Sequence, residues 1–146
     1  MNIDNVLRWL ALGAVGLLLA GCQTSPSPSP DLLAPTEAQM KLRSYQSRTF
    51  DVLDRDVAVR AVIAALQDLG FIIERANGPL GLVTAARFQQ PRYFDVVGVT
   101  VTVRPKGEGQ VLIRANAIYN NEPVTDPKAY ENFFATVERS LSAEGD

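Results

Sequence analysis

The sequence predicts an α+β fold: a two-layer sandwich in which a mainly antiparallel sheet of about five strands carries two helices on one face. Three observations lead there. Two runs repeat apolar residues at helical spacing, Val59, Val62, Ile63, Leu66 and Leu69, then Tyr130, Phe133, Phe134, Val137 and Leu141. Two others alternate with period two: Val97, Val99, Val101 and Val103 between Gly98, Thr100 and Thr102, and Val111, Ile113, Ala115 and Ala117 between Leu112, Arg114 and Asn116. Alternation of that kind belongs to a sheet with one wet face, and the helices then cover the other. The element order is β-α-β-β-β-β-α.

Each element has its own local reason. Leu42 to Val52 reads as the first strand, on the β-prone residues Tyr45, Thr49, Phe50 and Val52. Asp54 caps the helix that follows, Asp56 complements its dipole, and Gly70 stops it with a left-handed backbone. Phe71 to Arg75 is the second strand. Asn77-Gly78 and Pro79 turn the chain, and Gly81 to Phe88 returns as the third strand in a hairpin. Gln89 to Phe94 is polar and aromatic with a proline, hence a loop. The two alternating strands follow, separated by a turn over Pro105 to Gly109. Asn120 to Thr125 reads as a polar loop, and Asp126-Pro127 opens the last helix as cap and first-turn proline.

Before this domain lies a different kind of chain. Met1 to Arg8 is a short polar lead, and Trp9 to Ala20 is apolar without a break. About a dozen residues suit the apolar part of a signal peptide and fall short of the ~20 that span a bilayer. The run ends in Leu19-Ala20-Gly21-Cys22, which resembles the bacterial lipobox in all four positions. That resemblance implies a diacylglyceryl group on the Cys22 thiol, cleavage after Gly21 and acylation of the new Cys22 amine. The alternative is a plain signal peptide or short buried helix with an incidental cysteine. Several acyl chains at ~0.8 kcal/mol per buried methylene anchor a protein firmly. Gln23 is not the aspartate that retains lipoproteins in the inner membrane, so the same resemblance implies the outer membrane, with the domain facing the periplasm. Thr24 to about Gln39 begins as a Ser/Pro repeat, which favours polyproline II and reaches up to ~50 Å at ~3.1 Å per residue. The expected division is therefore residues 1–21 as signal peptide, 22–40 as lipidated cysteine and linker, and 41–146 as the α+β domain.

Composition excludes several activities. There is no histidine, which removes the usual general base and the commonest transition-metal ligand. Cys22 is the sole cysteine, so no internal disulfide forms. Net charge is -2 with both signs mixed and no basic patch, which argues against nucleic acid as a partner. Asp51, Asp54 and Asp56 lack the glycine and bidentate glutamate of a calcium loop, and capping explains them. Asn77 to Gly81 matches no phosphate-binding pattern, and Ser44 and Ser47 lack a base. Glu122 and Asp126 read as solvated loop charges. No catalytic residue, metal ligand or cofactor is nominated, and the chain reads as a non-enzyme.

The segments Arg43 to Arg48 with Phe50, Leu66-Gln67-Asp68-Leu69-Gly70-Phe71 and Gly81-Leu82-Val83 resemble a group of small proteobacterial lipoproteins over roughly residues 43 to 141. The order of elements is also similar to the small domains of the C-subunit lipoprotein of the β-barrel assembly machinery, in topology alone. Two surfaces then stand out as candidate partner sites. Arg87, Arg92, Tyr93 and Phe94 read as arginines and aromatics on one long loop, as at binding hot spots. A Phe94 set into the core with solvated arginines is the simpler explanation of the same residues. Thr100, Thr102, Arg114 and Asn116 populate the wet sheet face, which also suits a merely soluble surface. Lipid, spacer and small domain together imply an outer-membrane-anchored interaction or assembly module that meets the lipoprotein processing and sorting machinery and then an envelope protein. The alternative is a periplasmic domain that binds a small ligand between its helices and sheet.

Overall fold

The computed structural model describes residues 34–89 and 95–144. Cys22 and the other lipobox residues, Leu19, Ala20 and Gly21, lie outside them, as do Arg92, Tyr93 and Phe94. In chain order the elements are α1 (Glu37–Tyr45), β1 (Ser47–Phe50), α2 (Arg55–Asp68), β2 (Ile72–Asn77), β3 (Leu82–Phe88), β4 (Val96–Pro105), β5 (Val111–Tyr119), β6 (Glu122–Pro123) and α3 (Pro127–Glu144). The strands form one antiparallel sheet in the order β1-β5-β4-β3-β2, with β6 also paired to β5. The described residues form an α+β sandwich with their helices on one side of that sheet.

The alternating strands behave as their pattern predicts. Val101 stands opposite Ala115 and Val103 opposite Ile113, all fully buried, while Thr100 faces Asn116 and Thr102 faces Arg114 on the open side. Helix α2 buries Ala58, Val59, Ala61, Val62, Ala65 and Leu66 between sheet and neighbouring helix. Its start is held by the Asp54 carboxylate, which accepts from the Asp56 N–H at 2.8 Å. Its end is a Schellman turn: Gly70 has φ +80, the Phe71 N–H donates to the Leu66 carbonyl, and the Gly70 N–H donates to that of Gln67. Helix α3 opens at Asp126, whose carboxylate accepts from the Lys128 N–H, and it buries Tyr130, Phe133, Phe134, Thr136 and Val137. Phe134 sets the centre of the core. It meets Phe133 edge to face at 5.1 Å and Phe50 at 6.3 Å, and the Arg48 guanidinium lies 5.0 Å over its ring.

The chain differs from expectation at two places. The strand expected over Leu42 to Val52 occupies only Ser47–Phe50, because Glu37–Tyr45 is helical. Thr36 and Gln39 form a capping box: the Thr36 hydroxyl accepts from the Gln39 N–H at 3.2 Å, and Gln39 Oε1 accepts from the Thr36 N–H at 2.9 Å. With Ala38, Met40, Lys41 and Leu42 behind that cap, helix propensity outweighs the β-prone residues further on. The folded unit accordingly begins at Pro35, inside the segment expected to be linker. The polar loop after β5 is the second place. Asn120 and Asn121 adopt φ +48 and +68, the two left-handed positions of a hairpin turn, and the chain folds back as β6.

Candidate functional site

The sheet has an open face and a covered face, and each carries a candidate site. On the open face the four expected residues come together as adjacent pairs across β4 and β5, Thr100 with Asn116 and Thr102 with Arg114. They are partly committed to each other's neighbours. Arg114 Nε donates to the Ser47 hydroxyl at 3.1 Å, and Asn116 Oδ1 accepts from Gln46 Nε2 at 3.2 Å. Thr102, Arg104, Leu112 and Arg114 line a depression of about 440 Å³ there.

Further along the same face, polarity reverses. Ile72 opposes Ala86, Ala86 opposes Gly98, and Gly98 opposes Ile118, so one row of apolar or small residues crosses β2, β3, β4 and β5. Phe88 lies one step beyond Ala86 on that face. Ile72 is 65% exposed, Phe88 55% and Ile118 42%. A Cβ on Gly98 would stand 3.3 Å from Ile118 Cγ1, so the isoleucine lies flat across the glycine. This row was readable from the same alternation that marked the core, since every residue between inward ones points outward.

Arg87 is not a loop residue. Period two from Val83 and Ala85 carries it to the helix side of β3, where it is half-buried. Its Nη1 donates to the Leu69 carbonyl at 2.8 Å, and its guanidinium lies 4.9 Å over the Phe71 ring. Both partners belong to the turn that ends α2, so Arg87 also caps that helix end. No carboxylate lies within ion-pair distance of it among the described residues.

Arg87 borders a partly open pocket of about 220 Å³ between sheet and helices. The pocket exists because inward side chains shrink along β5, from Val111 and Ile113 to Ala115 and Ala117. Val97 and Val99 complete the floor, Leu66, Leu69 and Phe133 the roof, and Asn132 stands at the rim. Tyr130 closes one side, and its hydroxyl is fully used. It donates to the Val124 carbonyl at 2.7 Å and accepts from Gln46 Nε2 at 3.2 Å and from the Ala117 N–H at 3.4 Å. These bonds fill the gap on the edge of β5 between β1 and β6, where Gln46 also accepts from the Ala115 N–H.

Among the described residues no group of three or more His, Cys, Asp or Glu side chains is arranged to hold a metal ion. No helix among them is long and apolar enough to cross a membrane. Compared with models of known protein families and with curated protein sequences, the chain matches none.

Proposed function

We propose that the protein is a lipoprotein of the outer membrane, anchored through Cys22, whose α+β domain faces the periplasm and serves as a non-enzymatic interaction or assembly module of the cell envelope. On this reading it belongs with the small proteobacterial lipoproteins that its residues resemble, and the processing and sorting machinery delivers it. The observation that carries the reading is the row from Ile72 to Ile118 with Phe88 beside it. Contiguous exposed apolar residues on a monomer's surface mark interaction sites, and these three large ones share one end of an open sheet face. Thr100, Thr102, Arg114 and Asn116 supply a polar flank next to it, the usual surround of an apolar contact.

A photo-crosslinking residue placed at Phe88 or Ile118 in cells tests this. A discrete adduct with one envelope protein is expected, and it disappears when Ile72 is changed to Ser. The same probe at Glu138, on the exposed side of α3, serves as control. Equal, diffuse labelling at all three positions would refute the module.

A second reading, a periplasmic small-ligand-binding domain, is favoured by the pocket between helices and sheet. Apolar walls with a few polar groups at the mouth are the usual form of such sites.

A further inference from the structure

We infer that the pocket beneath α2 and α3 takes a small amphiphilic monocarboxylate, a short-chain or single-ring acid, with its apolar part on Val97, Val99 and Ala117 and its carboxylate on Arg87. The inference rests on the reading of the domain as a ligand binder. Size is the first argument. A closed cavity of ~150 Å³ accepts benzene, so about 220 Å³ has room for one ring or a short alkyl chain together with a carboxylate. The walls are aliphatic and aromatic, which suits that part of the ligand, and the polar groups Arg87 and Asn132 are too few for the many hydroxyls of a sugar or nucleoside. Tyr130 offers nothing, because its hydroxyl already donates to Val124 and accepts from Gln46 and Ala117.

Charge is the second argument. Arg87 is half-buried and meets no carboxylate among the described residues. The Leu69 carbonyl takes one of its five N–H groups, and a carbonyl leaves the net charge in place. A half-buried guanidinium at the pocket edge without a counter-charge leaves its remaining N–H groups and its charge for a ligand. A carboxylate supplies the counter-charge in the planar, two-oxygen form that matches a guanidinium edge. Stacking on Phe71 holds that plane in advance, which lowers the entropy lost on binding. One fixed cation beside the Leu69 carbonyl suits a monoanion and disfavours a second negative charge, so a phosphate dianion fits less well.

The test uses the full chain, isotopically labelled at Val and Leu methyls, in phosphatidylcholine nanodiscs. Hexanoate and benzoate are titrated beside neutral 1-hexanol and inorganic phosphate. The acids should give saturable shifts at Val97, Val99 and Leu66, with 1-hexanol about tenfold weaker or more, the fold-change of one lost charge-assisted hydrogen bond. Arg87→Gln should weaken hexanoate by about the same factor and leave 1-hexanol unchanged. Ala117→Leu, which fills the pocket and leaves Arg87 in place, should abolish both. If 1-hexanol matches hexanoate, or Arg87→Gln weakens neither, the pocket is a ligand site and the carboxylate assignment is wrong. If phosphate matches hexanoate, the amphiphilic class is wrong. If no probe gives a saturable shift, the ligand-binding reading falls with it.

Discussion

Replacing Gly81 with alanine tests how the hairpin is locked to the rest of the sheet. Gly81 has φ +60, and a Cβ there would overlap the carbonyl oxygen of Val103 and stand 3.2 Å from its carbon. Strand β3 cannot simply retreat, because the Val103 N–H donates to the Gly81 carbonyl at 2.7 Å. Three effects therefore combine. A left-handed alanine costs ~1–2 kcal/mol, forced overlap in a filled sheet ~1–3, and the strained or lost hydrogen bond ~1, for a total on the order of 4 kcal/mol. Domains of this kind are stable by only ~5–15 kcal/mol, so the variant sits near the edge of folding. In urea its midpoint should fall by roughly 2 M. Two other glycines separate the causes. Gly107 has φ +64 with nothing within 4 Å of a Cβ, so Gly107→Ala should show the backbone effect alone, ~1–2 kcal/mol. Gly78 has neither a left-handed φ nor a neighbour within 4 Å, and Gly78→Ala should lie within ~0.5 kcal/mol of the parent. If Gly81→Ala unfolds no earlier than Gly107→Ala, the Val103 carbonyl moves aside freely and the locking argument is wrong.

Other tests reach the polar network and the proposed anchor. Tyr130→Phe removes the hydroxyl that serves Val124, Gln46 and Ala117 and should lower stability by ~2–3 kcal/mol, with faster amide exchange at Ala117. A loss below ~0.5 kcal/mol would mean that those groups find other partners. Cys22→Ser should abolish incorporation of labelled palmitate and release the protein from the membrane fraction, and a variant that stays labelled and bound would overturn the lipoprotein reading.

The elements legible in the sequence are those whose burial is one-sided and repeated. β4, β5, α2 and α3 each show several apolar residues at a fixed period, because each presents one face to the core. Helix α1 has no buried residue, so it has no apolar stripe to read; a local capping box starts it, and Leu42 and Tyr45 give it partial cover. Strand β6 is two residues long, too short for any period, and its signal was the Asn120-Asn121 pair. Arg87 carries two opposed signals: an arginine beside an aromatic loop suggests a surface, while its even spacing from Val83 and Ala85 puts it on the helix side of β3, and the strand's period decides. The pocket needed a different comparison, of side-chain sizes along β5, which periodicity ignores.

That gradient of sizes bears on function. Stability alone favours filling the end of the sheet where Ala115 and Ala117 face Leu66 and Phe133, since an unfilled closed cavity of 220 Å³ would cost about 5 kcal/mol at ~24 cal/mol per Å³. The pocket is partly open, which reduces that loss, yet its walls still forgo the dispersion contacts that larger side chains would make. On the opposite side of the same strand ends the usual order is inverted, in size with Ile118 outside Ala117 and in polarity with Phe88 outside Arg87. A sheet built only to be stable and soluble would place the isoleucine and phenylalanine inward and the alanine and arginine outward. Here the core gives up volume and the surface gives up polarity at one end of one sheet. Both departures place apolar surface where a second molecule can reach it, one as a pocket and one as a flat row. They come together where β3 ends and β4 begins.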